Sequence, residues 1–488
     1  MVMFIKIRNS IVAIVFVFFC WNHKINAASY YVDNSSGSDS NTGTSTSNPW
    51  RTLDKINSQQ FIAGDSIAFK RGGSWIGSIE MTRSGANGNP IVFTAYGSGA
   101  APILSNPCSG CYSNVFVIRS SWIVIKDLLI KDTHHAAIIM RAGSSNVTVS
   151  DNEITNTGIG IFLQTSNHTI TRNNIHDLNM VVNNTSNPDD DYGANGIWLE
   201  KSDNNEISYN TCKNCRAPSY DYGNDGGFVE FWTGNNNNII HHNWVENTLG
   251  FIEIGGNDPN GTVSNNTISY NVLYNNLGFG CLHTDGNFRT PVENLRIENN
   301  TIVNLNVEGY RMLDCMVPTP NMLSFRNNIV ISPIQIANSG NLARSNNLYY
   351  MLDGAPIGYT LGSGEKSGNP LFVNMDAKNF HLQVGSPARD AGANLGYSFD
   401  YDNHSVPSGS APEIGAFEYG GTTPISPTSI SQRPGDANND NVVDGRDYIV
   451  WLNNYGLSTN QGFANADFNV DTRVNGSDYI IWLVHYGT

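Results

Sequence analysis

The chain is poor in charge. Only 14 % of its 488 residues are Asp, Glu, Lys or Arg, and Lys201 and Lys213 are the sole lysines between residues 132 and 365. The balance is acidic, −15 at neutral pH, with a pI near 5.1. That argues against nucleic acid or an anionic membrane as a partner. It also disfavours polyanionic substrates, unless a local basic groove overrides the average. Beyond the N-terminus no run is long and apolar enough to cross a bilayer, so no membrane span is expected. Cysteine is sparse, 7 in all, and the middle of the chain shows no helical period. Glycine (47) and asparagine abound instead, the composition of an exported, turn-rich β protein.

The first 27 residues are expected to be a signal peptide. Lys6 and Arg8 precede the apolar run "IVAIVFVFFCW", and the small-residue site "INAAS" follows, placing cleavage near Ala27 or Ala28. The mature protein is expected to be secreted, either free or held at a cell surface or scaffold. Six cysteines remain, four of them in C-x-x-C pairs, Cys108/Cys111 and Cys212/Cys215. In an exported chain such pairs point to disulfides before zinc. Cys281 and Cys315 are read as packed thiols or a cross-coil pair.

The middle of the chain repeats itself. "VTVSDNEI", "HTITRNNI", "NEISYNT", "NIIHHNW", "NTISYNVL", "LRIENNTIV" and "LSFRNNIV" recur from residue 147 to 330. Anchored on Asn152, Asn173, Asn210, Asn243, Asn271, Asn300 and Asn327, the steps are 21, 37, 33, 28, 29 and 27 residues. Short period-two strands between Gly/Asn turns, repeated at this length, predict a parallel β-helix. A β-propeller is the competing repeat fold, but its blades need about 40 residues at a steadier period. A recurrent asparagine can stack as an internal hydrogen-bonded ladder while tolerating tight left-handed bends. The sequons "NVT" and "NHT" are therefore expected to be ladder or turn residues rather than glycan sites.

Two motifs at the ends of this region carry a resemblance. "YYVDNSSGSDSNTGTSTSNPWRTLDKIN" with "GDSIAFKRGGSW", and the closing "NPLFVN…FHLQVGSPARDAGANLG…APEIGAFEYG", resemble the two ends of secreted right-handed parallel β-helix proteins. These include polysaccharide lyases and several glycoside hydrolase families. The resemblance implies an all-β solenoid over residues 28–420 acting on carbohydrate, and says little about the reaction.

Residues 421–434, "GTTPISPTSISQRP", read as a linker. Residues 435–488 then hold two near-copies offset by 31 residues, "DANNDNVVDGRDYIVWLNNYG" and "DFNVDTRVNGSDYIIWLVHYG". Asp436, Asn438, Asp440, Asp444 and Asp447 take positions 1, 3, 5, 9 and 12 of a calcium loop, with Val442 offering its carbonyl at position 7. Asp467, Asn469, Asp471, Asn475 and Asp478 repeat the pattern, with Arg473 at position 7. Asn441 and Thr472 stand where glycine is common. A pair of such half EF-hands resembles a type I dockerin module, which implies Ca2+ as cofactor and a cohesin on a scaffold or cell surface as partner. A monomer is expected.

The candidate active site comes from two apolar bursts, "GGFVEFW" and "GFIEIGG", each with a central glutamate. If Val229, Phe231, Ile252 and Ile254 face the core, Glu230 and Glu253 point outward. Their separation of 23 residues is one coil, so the carboxylates are expected to lie exposed and side by side, about 5 Å apart. Trp198 falls in the same column one coil earlier. Cys281 and His283 take the outer phase of the next coil, with Asp285 beyond. The insertions "NPDDDYGAN" and "CKNCRAPSYDYGNDGG" supply groove walls.

Paired carboxylates are what glycoside hydrolysis requires. Glu230 and Glu253 are the expected acid/base and nucleophile in unassigned order, with Asp225 in reserve and His283 and Asp285 nearby. Trp198, Tyr220, Tyr222 and Trp232 are candidate platforms for sugar rings, and Arg311 a candidate substrate contact. The alternative is a polysaccharide lyase in which Glu230, Glu253 and Asp225 hold Ca2+ while His283 or Arg311 removes the proton. A third reading is a non-catalytic glycan-binding solenoid.

Overall fold

The computed structural model describes residues 2–7, 10–15 and 27–420, except 109, 186, 188, 257, 283–289, 310, 316–320 and 338–341; in the tail it describes 435–437, 443–457, 466–468 and 473–486. The chain divides into two compact units, 1–420 and 421–488.

Unit 1 is a parallel β-helix. Its first sheet stacks twelve strands from Ser29–Val32 to Ala343–Ser345. The second runs from Ser74–Ile76 to Lys366–Ser367, and the third from Ile79–Met81 to Leu313–Cys315. Leu129–Met140 and Glu153–Leu163 each pass through both the second and third sheets, bending where the register breaks between Thr133 and Ala136. Apart from these, Val2–Ile7 and Ser10–Val15 pair antiparallel. Among the described residues no helix is long and apolar enough to cross a membrane.

Alternation along each strand puts one file of side chains inside, and parallel register stacks the files into columns. Ile125, Val149, Ile170, Ile207, Ile240, Ile268, Ile297 and Phe325 form one such column, all buried. β-branched residues suit it, because their stiff χ1 fits a pleated surface packed above and below. In the second sheet Cys212 occupies a core position between Ile175 and Val245. Both C-x-x-C pairs close as disulfides, Cys108–Cys111 and Cys212–Cys215.

The asparagine ladder is present. Asn152, Asn173, Asn210, Asn243, Asn271, Asn300, Asn328 and Asn347 each donate Nδ2 to the next Oδ1 at 2.9–3.2 Å. Its last amide donates to Glu365 Oε1 at 2.9 Å. Two details correct the sequence reading. The seventh rung is Asn328; Asn327 lies one residue early and donates instead to the Ala393 carbonyl. The left-handed bend also falls on the residue before each rung, so Arg172, Tyr209, His242 and Tyr270 carry φ of 54°, 55°, 56° and 52°. The ladder asparagine itself is left free to bond along the axis. Asn146 and Asn167, in the two sequons, are left-handed turn residues.

The closing motif adds no further coils in the way its position suggested. Phe372–Asn374 and Asn379–Leu382 form an antiparallel hairpin. Phe372, Phe380, Leu382, Ile414 and Phe417 pack with Trp244, Val272, Val303, Ile329 and Ile331 of the second sheet. This segment therefore covers part of the outer face of that sheet.

Unit 2 contains the helices Gly445–Asn454 and Gly476–His485. Trp451 Nε1 donates to the Asn475 carbonyl, and Trp482 Nε1 to the Asp444 carbonyl, each at 3.0 Å. Those residues are equivalent across the 31-residue offset, so the two copies clasp each other reciprocally.

Candidate functional site

The outer face of the third sheet carries a continuous file of residues in register: Phe162, Trp198, Glu230, Glu253, Cys281 and Asp314. The predicted pairing of Glu230 with Glu253, and of Trp198 in the same file, is what the register shows. Val229, Phe231, Ile252 and Ile254 face the core, each at most 2 % exposed. Asp314 is a carboxylate that sequence reasoning missed. Aligning "MLDC" with "GFGCL" would have placed it two strands beyond Glu253.

Glu230 differs from the expectation of an exposed pair. It is only 6 % exposed, whereas Glu253 is half-buried. Two neighbours account for its cover. Asn195 opens the preceding strand, Asn195–Glu200, and its Nδ2 donates to Glu230 Oε2 at 2.7 Å. The hairpin Ala217–Ser219/Gly223–Asp225 ends in Asp225, whose charge acts on Glu230. The chain passes from that hairpin into the strand Gly227–Trp232 through Gly226, at φ +112°. A Cβ there would lie 2.6 Å from the Ala194 carbonyl oxygen, so this close approach requires glycine. Burial, then the charges of Glu253 and Asp225, push the Glu230 carboxyl well above the ordinary carboxylate range.

The two insertions do meet beside this file. Asp191 accepts from Ser219 Oγ at 2.8 Å and from the Asp221 N–H at 3.0 Å, while Asp221 accepts from the N–H groups of Asp190 and Asp191. Asn183 adds bonds to Pro218 and Tyr220. Asp190, Asp191 and Asp221 thereby bring one oxygen each within 4.8 Å of one another, an acidic joint between the two loops. Tyr220 and Tyr222 stand on the turn of the hairpin, 68 % and 50 % exposed. The Tyr222 phenol is pushed up to about 12 by desolvation, then by Asp189, Asp221, Asp225 and Glu253.

Trp198 is placed differently from a free sugar platform. It stacks on Phe162 at 5.4 Å and meets Tyr192 and Trp232 edge-on at 5.4 and 6.2 Å. It packs against a satellite apolar cluster with Phe162 and Val181. Arg311 donates to Asp314 at 2.8 Å, at the far end of the file. His283 and Asp285 lie outside the described residues, as do the side chain of Cys281 and the loop positions Asn438, Asp440, Val442, Asn469 and Asp471.

In the tail, Asp436, Asp447, Asp467 and Asp478 are all at most 2 % exposed. Asp444 caps the first helix through the Arg446 N–H, and Asp447 accepts from the Asp444 N–H at 2.8 Å. In the second copy Asp478 accepts from the Asn475 N–H at 2.8 Å. First and twelfth loop positions are thus buried carboxylates in each copy, donors of the kind that suits a hard cation. Asn475 and Arg473 flank the second helix start.

Residues 113–349 match a family model described as a right handed beta helix region. An alignment 147 residues long, which covers 27 % of this chain, is 31 % identical to a lacto-N-biosidase of Bifidobacterium longum subsp. longum and spans 8 % of that protein's length. Among solved structures, a GH136 lacto-N-biosidase from Eubacterium ramulus aligns with a TM-score of 0.41 and 14 % identity, over 70 % of this chain and 67 % of that one. An alginate lyase from Paenibacillus sp. aligns at 0.42 and 16 %, over 65 % and 96 %. The stacked parallel sheets over residues 113–349 agree with that family description.

Proposed function

We propose that this chain is an exported enzyme that cleaves a polysaccharide by glycoside hydrolysis, with Glu230 as the acid/base and Glu253 as the nucleophile. One observation carries the reading: two carboxyl groups stand in register on neighbouring strands, and only one is buried. Burial and the neighbouring charges favour the protonated form of Glu230, the state a general acid needs. Glu253, half-buried on the next strand, is the carboxyl more open to an incoming sugar. Strands one coil apart are separated by about 4.8 Å, which agrees with the roughly 5–5.5 Å carboxyl spacing of retaining glycosidases. The identity with a lacto-N-biosidase, a glycosidase by name, supports the same class, although over a small part of that protein.

Each step follows from these positions. Glu253 attacks the anomeric carbon while Glu230 donates its proton to the departing glycosidic oxygen. Ionised Glu230 then takes a proton from the water that releases the sugar from Glu253. Tyr220 and Tyr222 offer exposed ring faces at the rim, and Asp225 holds the proton on Glu230 by its charge.

The N-terminal signal, the linker over 421–434 and the tail belong to the same proposal. Asp436, Asp444 and Asp447 in one copy, and Asp467, Asn475 and Asp478 in the other, would hold Ca2+, whose charge would neutralise the buried carboxylates and fix the loops. The clasped helices would then present a surface to a cohesin-type partner.

The test is a panel of polysaccharides read for new reducing ends and for the ultraviolet absorbance of unsaturated uronates. Reducing ends alone support hydrolysis. Both signals together would mean a lyase, and glycan retention without cleavage would mean a binding solenoid.

A further inference from the structure

We propose that Asn195 is a positioning residue that holds the Glu230 carboxyl in both of its protonation states by presenting its side-chain amide either way round. The inference rests on the reading of Glu230 as the group that gives and regains a proton. Asn195 is 3 % exposed, and its Nδ2 donates to Glu230 Oε2 at 2.7 Å. Its Oδ1 is buried and, among the described residues, has no hydrogen-bond partner.

An orphaned acceptor in such a place calls for an explanation, because buried amide oxygens are nearly always bonded. Glu230 itself supplies one. Ionised, the carboxylate only accepts, and Nδ2–H is its donor. Protonated, it carries an O–H that needs an acceptor. Turning the Asn195 amide about χ2 exchanges Nδ2 and Oδ1 with almost no change of shape, and Oδ1 then receives that O–H. The proton leaves Glu230 for the glycosidic oxygen and returns from water, so the proton count on Asn195 never changes. Neither Asp nor Ala can do both jobs.

The strand geometry keeps the amide in place. Asn195 lies in register with Gly227 and starts the strand whose Trp198 pairs with Glu230. The other ionisable groups facing Glu230 are Glu253 on the next strand and Asp225 on the rim hairpin, with Tyr222 near both. All are acidic, so no cation competes with Asn195 for the carboxylate among the described residues.

The test follows the Glu230 carboxyl by infrared pH-difference spectroscopy of the whole chain, its band identified by its loss in Glu230→Gln. In Asn195→Ala the titration midpoint is expected to rise by about one pH unit or more, because the ionised form loses its donor. The carbonyl band of the protonated form is expected to move at the same time, because its acceptor is gone. Asn195→Ser, whose hydroxyl both donates and accepts, is expected to fall between wild type and Ala, and covers the case in which Ala does not fold. An unchanged midpoint and band in a folded Asn195 variant would overturn the inference. If the midpoint responds but no glycan is cleaved, the hydrolase reading fails and the amide role stands. If a glycan is cleaved and the midpoint is indifferent, the reverse holds.

Discussion

Glu230 lies opposite Glu253 on the neighbouring strand, in parallel register, yet its side chain is shut away from water while that of Glu253 is not. The asymmetry comes from what precedes each strand. The strand Gly227–Trp232 follows directly on the hairpin ending in Asp225 and lies beside Asn195, so its outward carboxyl is roofed. Ile252–Gly255 is entered from a short turn after Thr248. A symmetric pair of residues is thereby given two environments, and environment is what divides an acid from a nucleophile.

Asp225 should tune this division without taking part in bond cleavage. Its charge favours the protonated form of Glu230. Asp225→Asn removes that charge and keeps an oxygen for the Gly226 N–H, so the Glu230 pKa falls. The alkaline limb of the rate profile is expected to move to lower pH, by up to about one unit. Rates measured across pH on any cleaved glycan check this.

The ladder should be worth more than any turn asparagine. Asn243 is fully buried and donates to Asn271, to the Ile207 carbonyl and to the His241 carbonyl. Asn243→Ala strands these acceptors together with the donors of Asn210, each unmade bond costing about 1–3 kcal/mol. A loss of about 3 kcal/mol or more is expected. Asn237→Ala, at an exposed left-handed turn, should cost about 1 kcal/mol. Denaturant unfolding of the two variants measures the difference.

Ladder and strand phase were readable because each rests on a local pattern repeated many times: an asparagine three residues after the buried apolar residue of a short strand, as in Ile170 and Asn173 or Ile240 and Asn243. The off-by-one at Asn327 arose where the sequence runs "RNNIV", two adjacent asparagines either of which fits the pattern. The bonds of Asn328 to Asn300 and Asn347 decide between them, and Asn327 turns to the Ala393 carbonyl. The pairing of Glu230 with Glu253 was likewise local arithmetic. The burial of Glu230 was not, because its roof comes from Asn195, 35 residues earlier, and from an insertion with no repeat to align it. Trp198 misled for a related reason: an outward aromatic looks like a platform until Phe162 and Tyr192 are seen to pack against it.

A second buried carboxyl pair should contribute to the pH dependence of stability. Glu413 and Glu418 are 2 % and 3 % exposed, and the Glu413 N–H donates to Glu418 Oε1 at 3.1 Å. Burial, then the adjoining Glu418 carboxyl, raise Glu413 to about 9. A carboxyl raised on folding binds its proton more tightly in the native state than in the unfolded one. Its stabilising contribution is therefore complete below the unfolded value of 4.5 and is lost as pH climbs towards about 9. Melting temperature should decline across that window, and Glu413→Gln should flatten the decline. Melts of both proteins at a series of pH values check the sign.

Calcium should bind the tail and be needed for its fold. Four carboxylates, Asp436, Asp447, Asp467 and Asp478, are buried there, at the first and twelfth positions of loops whose ligand spacing suits a hard cation. Calorimetry on the full chain is expected to show two sites assignable to the tail, with Asp447→Ala removing one and Asp478→Ala the other. Chelation should lower the helical signal, and no response to millimolar calcium would refute the assignment.

Glu230 and Glu253 are proposed to cleave the glycan together. The direct measurement is the rate of Glu230→Gln and Glu253→Gln, each shown by circular dichroism and melting to keep the wild-type fold, on the best substrate of the panel. Each variant is expected to lose about a hundredfold or more in kcat, Glu230→Gln chiefly on substrates with poor leaving groups and Glu253→Gln on all. Two folded variants that both keep wild-type rates would rule out this pair and place the chemistry elsewhere on the coil.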